Sequence, residues 1–149
     1  MARSPWVFVP PPMLFAGSFV ASYVLAPRYD APAALRIAGG GVVAAGVALL
    51  ASAVLLFAVR RTTIVPHAQH ARELVARGPF RLTRNPMYLG LTFAYVGATL
   101  ATGSPWSLAA LALPLWVMHA RVITYEEASL ARTFGDSNLR YQGRVRRWL

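Results

Sequence analysis

Three observations predict an all-α, polytopic membrane protein with about four transmembrane helices and a cytoplasmic C-terminal helical cap. Hydrophobic residues make up 56% of the 149-residue chain and charged residues only 13%; mean hydropathy is +0.46. No charged side chain occurs in the runs 4–27, 37–59 and 85–120, each at least the roughly 18 residues expected of a membrane-crossing helix. The remaining charge is one-sided. All 15 basic residues are arginines, and they cluster in 60–84 and 121–149.

The first helix is expected to start around Pro12 or Met13, because the triple proline 10–12 is tolerated only in a first turn. It ends before Pro27, and Trp6 anchors a Pro-rich interfacial entry. A cleaved leader is not expected, since the n-region is weak and no small-residue cleavage site stands out. The second helix covers 37–59, about 35 Å at ~1.5 Å per residue. Its glycines 39–41 and Gly46 allow a neighbouring backbone to approach, or leave a smooth wall for a cofactor or lipid.

The run 85–120 is too long for one crossing, and Gly103, Ser104 and Pro105 break it. Two antiparallel helices, roughly 86–102 and 106–124, follow, the second kinked at Pro114 and with Trp106 at the interface. Placing 60–84 and 121–149 on the cytoplasmic side leaves only Arg28 and Arg36 opposite. The positive-inside rule then requires an even number of crossings, with both termini cytoplasmic. The whole chain is read as one integral-membrane domain: 1–59 is a two-helix platform and 60–149 carries the site.

Several classes of function are excluded by composition. Without cysteine there is no disulfide, thiolate metal site or cysteine nucleophile. The net charge of +10 is explained by membrane orientation and anionic headgroups, so no nucleic-acid partner is expected. His67 and His70 are three apart, but without a third ligand they make a loop cluster, and no metal site is assigned.

Candidate chemistry lies in two stretches. In 77–90, RGPFRLTRNPMYLG, a helix starting at Asn85 or Pro86 directs free backbone donors to the cytoplasmic side, with Asn85 as its cap. Arg84 and Tyr88, four apart, share one face, and the result is a cationic, donor-rich pocket suited to a carboxylate or phosphate. In the second stretch, Glu126 and Glu127 follow an apolar helix directly and point about 100° apart, so at least one faces an apolar side. Its burial demands a cationic partner, either a ligand or an arginine from 72–84. His119 either exchanges a proton with a ligand or caps the inner end of its helix. The tail NLRYQGRVRRWL forms an amphipathic lid on the membrane, anchored by Trp148, with Arg144 or Arg147 reaching a polar ligand.

The stretches LVARGPFRLTRNPMYLG and EEASLARTFGDSNLRYQGRVRRWL, with the spacing between them, resemble the paired C-terminal motifs of the isoprenylcysteine carboxyl methyltransferase and phospholipid methyltransferase superfamily. These are small integral-membrane enzymes that use S-adenosylmethionine. The resemblance covers roughly 60–149, whereas 1–59 matches only as generic membrane helices. It implies that 60–149 is the cofactor-binding and catalytic part, and it assigns Arg84, Asn85, Pro86, Tyr88, Glu126 and Glu127 to the cofactor, to which the reading of His119 as a ligand-lining residue adds a seventh. Gly78 and Gly90 shape the first motif's backbone; Phe134, Gly135, Tyr141 and Arg147 continue the second. Glu127, Arg144 and Arg147 are the expected catalytic residues.

The family commonly has histidine between the arginine and proline of the first motif, where this chain has Asn85. An amide can bond a cofactor but cannot act as a base. The implied acceptor is a lipophilic or lipid molecule entering laterally from the bilayer, such as an isoprenylcysteine-like carboxylate. A phospholipid amine or a small thiol is the alternative acceptor, and a noncatalytic lipid-binding scaffold the alternative function. The cytoplasmic membrane is the expected location.

Overall fold

A computed structural model describes residues 9–59 and 74–149. The histidine pair 67/70, Trp6 and the arginines at 3, 60, 61 and 72 lie outside the described residues. All the regular structure described is helical: α1 (Pro11–Leu25), α2 (Ala33–Val59), a 3-10 turn (Gly78–Arg81), α3 (Pro86–Thr102), α4 (Trp106–Ala110), α5 (Ala112–Val117), a π segment (Met118–Val122) and α6 (Ile123–Gln142).

Pro11 and Pro12 occupy the first turn of α1, where their missing N–H groups cost nothing. The second helix begins before the uncharged run it was read from, so Arg36 lies inside α2 and pairs with Asp30 in the preceding loop. α3 has the expected boundaries. Gly103 ends it in the left-handed conformation (φ 64°), and its carbonyl accepts the Tyr29 N–H at 2.8 Å. The α1–α2 and α3–α4 connections therefore meet at one end of the molecule.

The antiparallel pair α2 and α3 is held by shape. Gly39 faces Gly97 and Ala101, and Gly46 faces Gly90 and Ala94; a Cβ at Gly46 would lie 2.6 Å from the Gly90 carbonyl oxygen. Only hydrogen fits between backbones this close. Gly40 and Gly41 face open space, so packing of the helices accounts for Gly39 and Gly46 only.

The last expected helix, 106–124, instead belongs to a run from Trp106 to Gln142. At about 55 Å this exceeds the roughly 30 Å hydrocarbon layer. Three irregularities interrupt it. Near Pro114 the missing N–H leaves the Ala110 carbonyl without its helical donor, and the Ser18 hydroxyl of α1 supplies one at 2.9 Å. Between Met118 and Val122 the helix widens into a π turn. At Gly135 (φ 47°, ψ −126°) it kinks.

The core joins α1, α3 and this long run through Phe15, Tyr88, Tyr95, Leu111, Met118 and Ile123. Phe15 and Phe19 both meet the Tyr95 ring edge-on. The outer faces expose Val24, Ile37, Leu55, Leu113 and Trp116, a surface suited to lipid rather than water. Among the described residues two helices, Ala33–Val59 and Trp106–Gln142, are long and apolar enough to span a membrane. The chain is thus an all-α, membrane-associated protein.

Candidate functional site

After the 3-10 turn, residues 82–85 run across the start of α3 and place Arg84 four residues before Tyr88. The two neighbouring glutamates, diverging around α6, each take one of these partners. Arg84 Nη1 donates to Glu127 Oε1 at 2.8 Å, and the Tyr88 hydroxyl donates to Glu126 Oε1 at 2.6 Å. The divergence that keeps both glutamates from serving one group lets each engage a different residue of the segment 84–88.

Beyond α6 the tail turns back. Arg147 places Nε 3.1 Å from Glu127 Oε1 and pairs through Nη2 with Oε2. Glu127 thus lies between two guanidiniums, with its side chain 18% exposed. Such pairs gain from partial desolvation, provided both charges stay matched. Among the described residues, Arg84 Nε is buried without a partner.

The main chain of the tail is tied to the same segment. Arg84 N–H donates to the Arg146 carbonyl at 2.9 Å. The Arg147 carbonyl accepts from Asn85 Nδ2 at 2.8 Å and from Thr83 Oγ1 at 3.1 Å. Asn85 occupies the N-cap position of α3 but makes no side-chain cap, so the expected cap is corrected: its amide holds the tail. The Thr83 hydroxyl accepts the Asn85 N–H at 3.2 Å. Pro86 is fully buried in the first turn of α3.

His119, on the π segment, stands at the edge of this knot. Arg147 Nη1 lies 3.4 Å from Nε2, and Trp148 Nε1 lies 3.3 Å from Nδ1. Both neighbours are donors only, while neutral imidazole has a single accepting nitrogen. One ring position therefore lacks an acceptor among these contacts. Trp148, expected as an interfacial anchor, is half-buried on this ring and packs against the core cluster.

Two cavities flank the knot. One, of about 440 Å³, is lined by Thr92, Leu115, Trp116, His119 and Trp148 and is almost wholly apolar. The other, of about 450 Å³, carries Arg81, Ser137, Arg140, Tyr141 and Arg144. Arg144 therefore stands apart from Glu127 and Arg147. Tyr141 donates its hydroxyl to the Phe80 carbonyl at 2.7 Å; burial pushes this phenol up to about 12, against the opposing pull of Arg84.

Of the residues singled out from sequence, Arg84, Asn85, Tyr88, His119, Glu126, Glu127 and Arg147 come together here. Thr83 was missed, since a threonine three residues before a proline carries no signal of its own. Asn138 is 1% exposed, and among the described residues its amide nitrogen has no partner. Among the described residues no cluster of three or more metal-ligating side chains exists.

An all-helical membrane protein that gathers arginines and glutamates from two separated motifs at one end of its bundle is the class these features define. The chain belongs to the phospholipid methyltransferase family, whose model matches residues 35–137. It is 33% identical over 79 residues to a probable protein-S-isoprenylcysteine O-methyltransferase of Oryza sativa subsp. indica, covering 53% of this chain and 41% of that protein. Over 68 residues it is 38% identical to protein-S-isoprenylcysteine O-methyltransferase A of Arabidopsis thaliana, covering 46% of this chain and 34% of the relative. A protein-S-isoprenylcysteine O-methyltransferase of Schizosaccharomyces pombe is 35% identical over 72 residues, 48% of this chain and 30% of the relative. The chain thus matches about two-fifths or less of the length of these curated relatives. No solved structure matches.

Membership implies S-adenosylmethionine as methyl donor. The donor set fits that molecule. Among the described residues, the buried, unpartnered Arg84 Nε–H suits a carboxylate, and Glu126, with Tyr88 as its hydrogen-bond partner, suits an ammonium or hydroxyl.

Proposed function

We propose that the chain catalyses S-adenosylmethionine-dependent methyl transfer to a lipophilic acceptor, such as an isoprenylcysteine-like carboxylate, at the cytoplasmic surface of a membrane. The observation that carries this reading is the meeting of the two family motifs through Arg84–Glu127–Arg147 and Tyr88–Glu126. In this reading α1, α2, α3 and the run beginning at Trp106 make four crossings, with both termini cytoplasmic. Chain 121–149 forms the cytoplasmic cap, and one domain contains both platform and site.

When bound, the cofactor supplies a methyl group already activated as an electrophile by its sulfonium. The protein's task is therefore mostly placement. Arg84, Tyr88 and Glu126 hold the donor molecule, on a floor set by Pro86. Glu127 fixes the guanidiniums of Arg84 and Arg147 in one orientation. His119, whose ring lines the apolar cavity, lies where an acceptor's reactive group would meet the knot, and it takes the proton of a thiol or amine acceptor. A carboxylate acceptor needs no base, and Arg147 orients it. Arg144, in the wall of the cationic cavity, binds an anionic group rather than the reacting centre. Thr92, Leu115 and Trp116 receive the apolar chain from the bilayer.

An acceptor screen with radiolabelled S-adenosylmethionine tests this reading. Label should move to a prenylated cysteine carboxylate in preference to a phospholipid amine or a small thiol. A folded preparation that labels none of the three would return the chain to the class of noncatalytic scaffolds.

A further inference from the structure

The interactions of Asn85 and Thr83 reach beyond a cofactor pocket. After α6 the chain 143–149 has no regular secondary structure of its own, and such a segment frays unless tied down. Here three consecutive residues tie it. Arg84 N–H holds the Arg146 carbonyl, while the Asn85 amide and the Thr83 hydroxyl both hold the Arg147 carbonyl. The two side chains are buried, Thr83 completely and Asn85 at 9% exposure. Thr83 both donates, to Arg147, and accepts, from the Asn85 N–H, so one hydroxyl closes the loop of bonds.

Fixing the Arg147 carbonyl fixes its Cα, and that sets where the side chain can reach. From this point the guanidinium meets both oxygens of Glu127, and the next residue places its indole on His119. We infer that Thr83 and Asn85 form a latch for the C-terminal segment and act as positioning residues, bringing Arg147 to Glu127 and Trp148 to His119. Asn85 thus stands in the first motif as a structural donor; it is neither a base nor a cofactor ligand. The latch exists whether or not a cofactor binds, but its consequence for methyl transfer rests on the function proposed above.

The test is amide hydrogen exchange of the full chain in detergent micelles, without ligand, on the parent and on Thr83→Val, Asn85→Leu and Thr83→Ser. The first two keep volume and remove the hydrogen bonds; the third keeps the hydroxyl. Exchange across 144–149 should rise about tenfold or more in Thr83→Val and Asn85→Leu, with α3 protection unchanged, and Thr83→Ser should match the parent. Unchanged exchange across 144–149 in both loss variants overturns the latch. S-adenosylmethionine affinity is then measured on the same proteins, with a drop of about fivefold expected in the loss variants. A drop without loosening of the tail would make Asn85 a direct ligand and overturn the latch. A tail loosened in the loss variants, beside a parent protein that binds no cofactor, would support the latch and refute the proposed function.

Discussion

The α2–α3 seam and the arginine–glutamate knot hold the molecule by opposite means. In the seam, glycines bring two backbones together until a single methyl would not fit, and no charge is involved. In the knot, side chains span the gap and the contact depends on matched charge and aligned donors. The seam builds a platform that lipid surrounds, where polar groups would be costly. The knot sits where polar groups can meet water and a polar ligand, and its bonds can be remade when one binds. Close backbone approach holds the first region and matched charge the second, where the function proposed above would place the chemistry.

The largest effect should come from breaking the seam. Gly46→Val places a branched side chain where Cβ alone lies 2.6 Å from the backbone of α3. A loss of several kcal/mol is expected, seen as aggregation or loss of a monodisperse detergent peak. Gly40→Ala, facing open space in the same helix next to Gly39, should be neutral or stabilising by up to about 1 kcal/mol. Equal damage from both would show that the seam is not held by close approach.

Next in size is Glu127→Gln, which leaves Arg84 and Arg147 facing each other without a counter-charge. A loss of about 2 kcal/mol is expected, less than for a fully buried pair because the group is partly exposed. The midpoint of thermal unfolding in detergent reports it. Cofactor affinity should fall by more than tenfold, whereas Gly40→Ala leaves it unchanged.

Smaller effects sharpen the contrast. Tyr88→Phe removes one bond to Glu126 and should cost about 1–2 kcal/mol of stability or of cofactor binding. Ser18→Ala orphans the Ala110 carbonyl that Pro114 already deprives of its helical donor. About 1 kcal/mol is expected, in unfolding midpoint alone and with affinity intact.

Most of the fold was legible because lipid imposes a simple rule on sequence. Uncharged runs gave α3 its boundaries, and proline and glycine marked the turn at 103–105. What the runs do not report is where a helix ends in water. α6 carries Arg, Glu and Asp throughout, so the helix that reaches Gln142 was read as stopping near 124. The π turn at His119 leaves no trace in hydropathy either.

The site was legible at the level of which residues meet, since charged groups at the end of apolar helices need partners. Its wiring was not. Asn85 reads as a cap from its place before Pro86, and only the return of the tail shows its amide serving Arg147. Trp148 likewise reads as an anchor until His119 is found beside it. Contacts between 83–85 and 146–148 span more than sixty residues, and no local pattern encodes them.

Calorimetric titration of S-adenosylmethionine into detergent-solubilised protein tests the central claim, that Arg84, Tyr88 and Glu126, with Glu127 orienting the Arg84 guanidinium, make one cofactor site. The parent should bind saturably, Arg84→Ala should lose more than tenfold in affinity, and Arg36→Ala, whose partner is Asp30 in the loop before α2, should bind as the parent does. No saturable binding by well-folded parent, or equal losses in the two variants, would contradict the account.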